Sequence, residues 1–77
     1  MSQIRRLGEL KPGEKAAVLE IDAQDEMGRR LVDIGLIEGT VVECLGESPL
    51  GDPCAYLIRG AVIALRRKDS GKVLMYE

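Results

Sequence analysis

Few residues of this 77-residue chain have types and spacing suited to chemistry. Histidine is absent, and the two cysteines, Cys44 and Cys54, stand too far apart for a close ligand pair. Neither is paired with a base that would turn its thiol into a nucleophile, so both read as small apolar core residues, kept reduced in a cytosolic compartment. Ser48 and Ser70 stand beside Pro49 and Gly71 and read as turn formers. Asp22, Asp25 and Glu26 gather where a helix begins, a place where capping and the helix dipole favour negative charge. Neither common Gly-rich phosphate motif occurs. The sequence thus offers no catalytic residue, no metal site and no cofactor site, and an enzyme is not expected.

Positive charge is local, at Arg5-Arg6, Arg29-Arg30 and Arg66-Arg67-Lys68, while 11 basic against 13 acidic residues leave a net charge of −2. No global field draws the chain to nucleic acid, and readers of single strands need stacking aromatics where this chain has only Tyr56 and Tyr76. The basic clusters therefore read as solvated faces and salt bridges. The same shortage of aromatics argues against a groove for Pro-rich peptides. The longest apolar run, Ala61-Val62-Ile63-Ala64-Leu65, is far short of the roughly 20 residues that span a bilayer. The first residues are not followed by an apolar signal segment, so the expected location is cytoplasmic, with no direct membrane insertion.

With 45% apolar and 31% charged residues the composition is that of a folded domain and not of a disordered tail. The length predicts a single domain over residues 1–77 with a thin core, burying about 60% of the unfolded chain's surface. Leu7 and Leu10 are the first apolar anchors, followed by a turn at Lys11-Pro12-Gly13. Alternation over Lys15 to Asp22 predicts a strand. Asp25 as N-cap, with Met27, Leu31 and Ile34 at helical spacing, predicts one short helix ending near Ile34 at Gly35, with those three side chains in the core and Leu36 folding back onto the last turn. Thr40 to Leu45 predicts a second strand, ended by the irregular loop from Gly46 to Pro53. Cys54 to Ile58 and Ala61 to Leu65 flank Arg59-Gly60 as a tight hairpin. Arg66 to Gly71 reads as a charged turn or single helical turn, and Val73 to Tyr76 as the last strand.

Five short strands and one α-helix without βαβ alternation do not make a parallel sheet. A mainly β fold that curls on itself, a small five-stranded SH3-like β-barrel with the helix across an open end, buries the apolar faces best. Such a domain, free of catalytic groups, reads as a binding or regulatory module that meets another protein.

At Ser48-Pro49-Leu50-Gly51-Asp52-Pro53, then Arg59-Gly60 and Ile63 to Asp69, the sequence closely resembles the FeoA family of ferrous iron transport accessory proteins. Leu7 to Gly13 and Arg30 to Thr40 resemble the family's other motif blocks, so the likeness covers nearly the whole chain. Glu38 departs from it, standing where the family commonly has Pro before the turn glycine. The resemblance implies a cytoplasmic SH3-like barrel that assists FeoB, a membrane ferrous iron transporter with a cytosolic GTP-binding domain. The partner surface is expected at Arg29 and Arg30 together with Pro49, Leu50, Gly51, Asp52 and Pro53. Two other roles stay open: a low-affinity module for divalent transition metals such as Fe2+ or Zn2+, and a metal-responsive regulatory domain related to the C-terminal barrel of iron-dependent repressors. Oligomeric state, a homo-oligomer included, is also left open.

Overall fold

Among the described residues six strands pair antiparallel in the order β1-β6-β2-β3-β4-β5. They are β1 (Arg5–Arg6), β2 (Lys15–Ile21), β3 (Val41–Glu47), β4 (Cys54–Ile58), β5 (Ala61–Leu65) and β6 (Val73–Met75). A 3-10 helix (Leu7–Glu9) follows β1, α1 (Glu26–Asp33) follows β2, and the single-turn α2 (Arg67–Ser70) precedes β6. The structure, a computed structural model, describes residues 4–76.

The sheet curls because β2 serves two partners. Its first residues, Lys15 to Ala17, pair with β3, and Val18 to Ile21 pair with β6, with a register irregularity between Val18 and Glu20. An irregularity of this kind bends a strand and raises its twist, which turns a flat meander into a curled barrel. The inner face follows the period of two: Val18 from β2, Val42 and Cys44 from β3, Tyr56 and Ile58 from β4, Val73 and Met75 from β6 are all buried. Leu7 and Leu10 close one side of this core as the apolar anchors expected of them.

The expected hairpin is present to the residue, and Arg59 (φ 52°) and Gly60 (φ 83°) both take the left-handed conformation of a type I′ turn. The helix also forms where Asp25 caps it, its Oδ1 accepting from the Gly28 N–H at 2.8 Å. Three expectations need correction. There is a sixth strand, β1, whose two arginines pair with Met75 and Leu74, a long-range pairing that no local pattern signals. The strand expected from Thr40 to Leu45 runs on through Gly46 to Glu47, because the register irregularity between Cys44 and Gly46 leaves Leu45 without a partner and lets Gly46 pair with Ala55. Ile34 is 40% exposed and not in the core. The helix closes with Leu36 N–H donating to the Leu31 carbonyl and Gly35 N–H to that of Val32, which folds Leu36 into the core instead.

Gly28 has no space for a side chain. A Cβ there would lie 2.1 Å from the Asp22 carbonyl oxygen and 2.7 Å from Ala23 Cα, so the first turn of α1 rests directly on the chain leaving β2. The Lys72 ammonium reaches the same corner and pairs with Asp25. This ion pair, with the Gly28 N–H, holds the Asp25 carboxyl below its ordinary value.

Two outcomes are expected. Gly28→Ala should destabilise the fold by about 2–3 kcal/mol in urea denaturation, since backbone atoms must move; an unchanged midpoint would contradict the contact. Because the Asp25 carboxyl titrates lower when folded, its contribution is present above its unfolded pKa near 3.8 and is lost as pH falls through the depressed value. Asp25→Asn should therefore flatten the acid limb of the stability profile measured by circular dichroism.

Candidate docking surface

The basic clusters divide by what they touch. Arg5 reaches Glu14 at 3.5 Å, and Arg6 Nη1 donates to the Gly71 carbonyl at 2.6 Å while its backbone N–H donates to Glu9 at 3.1 Å. This first pair is spent in tying β1 to the rest of the barrel. Arg29 and Arg30 lie exposed on α1, and among the described residues no carboxylate stands within ion-pair distance of either. The same holds for Arg59, Arg66 and Arg67.

The predicted loop from Pro49 to Pro53 links β3 to β4 and is closed by its own hydrogen bonds. Gly51 N–H donates to the Ser48 carbonyl at 2.8 Å, and Ser48 N–H to the Pro53 carbonyl at 3.0 Å. Leu50 projects from its tip, 93% exposed. Asp52 turns back and accepts the Arg67 N–H at 2.8 Å, which supplies the start of α2 with a carboxylate. No hydrogen bond or ion pair joins this loop to Arg29 or Arg30 among the described residues. The two regions are linked through α2: Arg66, one residue before the Asp52 contact, lines a groove of about 410 Å³ together with Arg30. Met27, Leu31 and Ile34 of α1 form one wall of that groove, and Ile63 to Leu65 of β5 the other.

Arg66 and the β5 edge were not among the residues expected at the partner surface. The available signal was the run Ala61 to Leu65, five apolar residues with no polar alternation, in a strand that ends the sheet. Tyr56, weighed as a stacking aromatic, is 1% exposed opposite Cys44, and burial pushes its hydroxyl up to about 12. Burial also raises the Cys44 thiol above its ordinary value, which keeps it protonated at neutral pH. Tyr76 donates to Glu38 Oε2 at 2.9 Å. Among the described residues no three of His, Cys, Asp and Glu converge in a way that could hold a metal ion, and no helix is long and apolar enough to cross a membrane.

The family model described as FeoA domain matches residues 5–76. A Porphyromonas gingivalis protein described as an Fe(2+) transport protein A/Fe(2+) transporter FeoB fusion is 34% identical over 71 residues. That match covers 88% of this chain but only 8% of the fusion protein. The solution structure of a FeoA-like protein from Clostridium acetobutylicum superposes with a TM-score of 0.87 at 29% identity, over 97% of this chain and 87% of that one. The crystal structure of Stenotrophomonas maltophilia FeoA complexed with zinc, described as a prokaryotic SH3 domain protein, gives 0.83 at 27% identity over 92% and 88%. A manganese-dependent transcriptional repressor shares the fold, with a TM-score of 0.84 at 18% identity over 100% of this chain and 43% of its own.

Asp52→Ala should cost about 1 kcal/mol in denaturation experiments, since it removes the carboxylate that receives the first N–H of α2. Unaltered stability would show that the loop is not pinned to α2 by this bond.

Proposed function

The chain belongs to the FeoA family, and from that membership we propose that it acts as a cytoplasmic, non-catalytic accessory protein of ferrous iron uptake that docks on the cytosolic region of FeoB. The observation that carries this reading is the fusion protein, in which a relative of this barrel and FeoB share one polypeptide. Covalent linkage gives two partners a high effective concentration and suits domains that work in contact. Iron passage and nucleotide chemistry then belong to FeoB, in keeping with the sparse chemistry of this chain.

Docking influences a transporter only if one of its states is bound more tightly than another. The barrel biases the conformational or GTPase cycle of FeoB by such a preference. Its contact surface includes Arg29 and Arg30 on α1 and the loop from Pro49 to Pro53, with unpaired cations on one and the bare Leu50 side chain on the other. Charge at such a rim steers encounter, and an apolar tip supplies area removed from water.

The test is the equilibrium affinity for purified FeoB in lipid nanodiscs, nucleotide-free and bound to a GTP analogue. A difference of fivefold or more between the states is expected; equal affinity would remove the regulatory mechanism, and no binding in either state would remove the docking reading. Arg30→Glu combined with Leu50→Ala should weaken binding by at least about tenfold. Both side chains are exposed, so the folded state should change by no more than about 0.5 kcal/mol.

A further inference from the structure

The edge of β5 carries unpaired main chain. A two-residue hairpin makes the residues flanking its turn a hydrogen-bonded pair, here Ile58 and Ala61. Ala61, Ile63 and Leu65 therefore bond back to β4, while Val62 and Ala64 direct their N–H and C=O groups away from the sheet. No backbone hydrogen bond to these two from outside β4 occurs among the described residues. Edges of this kind are usually blunted by charge, proline or a covering element. β5 contains neither charge nor proline, and Val62 is 67% exposed.

The same edge borders the groove whose far wall is α1, with Met27, Leu31 and Ile34 facing Ile63 and Leu65 across about 410 Å³. Cations bracket it. Arg30 and Arg66 line the groove, whose one carboxylate, Asp69, is buried; Arg67 and Lys68 follow Arg66, and Arg59 stands at the opposite end of β5 with its side chain packed over Gly35 at the end of α1. We propose that β5 and the groove beside α1 accept an added β-strand from a partner protein, an extended segment with apolar residues at its centre and carboxylates at its ends.

The charge pattern selects this occupant over a second copy of the chain. Antiparallel self-pairing centred on Ile63 would set Arg59 opposite Arg67 and Gly60 opposite Arg66 at both ends of the new ladder. Like charges placed opposite one another are unfavourable, whereas glutamates or aspartates at the ends of an incoming strand meet complementary charge. Main-chain bonds to Val62 and Ala64 supply the affinity, and the α1 wall selects the side chains. The identification of that partner with FeoB rests on the proposed function above; the strand-acceptor edge itself does not.

The experiment is a two-dimensional NMR titration of the intact protein with a short blocked peptide of alternating valine and threonine carrying two glutamates at each end. Shifts and slowed hydrogen exchange at the Val62 and Ala64 amides are expected. The same peptide with lysines for glutamates should bind at least about tenfold more weakly, and so should one N-methylated along its pairing edge. Val62→Pro removes only an outward N–H, a substitution edge strands tolerate, and should abolish the effect while leaving the β4 ladder intact. If that variant does not fold, the N-methylated peptide carries the same test. Shifts mapped elsewhere, equal binding of the lysine peptide, or dimerisation through β5 without peptide would overturn the proposal. FeoB retained equally by wild type and Val62→Pro would overturn β5 as its site while leaving the docking reading standing. Peptide bound at β5 with FeoB bound by neither protein would sustain the edge and end the docking reading.

Discussion

The structure depends on one strand pairing in two directions. β2 gives its first half to β3 and its second half to β6, and the irregularity between Val18 and Glu20 lets the sheet turn between them. A flat six-stranded meander of this length would leave one whole face in water, and with no Phe or Trp the chain has little side-chain volume to cover it. Curling brings aliphatic side chains from opposite parts of the sheet together around Tyr56, the largest of the fully buried residues. The chain leaving β2 must then cross to β3, and α1 makes that crossing pressed against Asp22 and Ala23, where Gly28 alone permits the contact.

The same arrangement fixes what is left for function. β5 ends the sheet beside α1, so the interior face of one element and the edge of the other frame a groove instead of a closed seam. The basic residues divide accordingly: Arg5 and Arg6 are drawn into the fabric of the barrel, whereas Arg30 and Arg66 face the groove without carboxylate partners among the described residues. A chain of net charge −2 thus carries a local cationic patch without any global field. The match to the FeoA domain over residues 5–76 shows the family of the whole barrel.

Local signals were legible wherever geometry is local. Arg59-Gly60 dictates its hairpin, and Asp25 dictates the start of α1, because each acts on residues within a turn of itself. β1 was not legible: two arginines carry no strand pattern, and their pairing with β6 lies some seventy residues away in sequence. Helical spacing assigned Ile34 to the core, where it is not, whereas the fold-back of Leu36 onto the last turn, a local consequence of Gly35, forms as expected and fills that place. Of the candidate site, the exposure of Arg29, Arg30 and Leu50 agrees with the sequence reading, while the groove does not arise from any motif. It exists only because topology leaves β5 at the edge and sets Arg66 near Arg30.

The measurement that bears most directly on the account is the recovery of bound membrane proteins from detergent extracts of the cells that make this protein, using the folded chain as bait with and without a GTP analogue. The account predicts that FeoB is retained and that its yield changes with the nucleotide. A folded bait that retains no FeoB in either condition would contradict it.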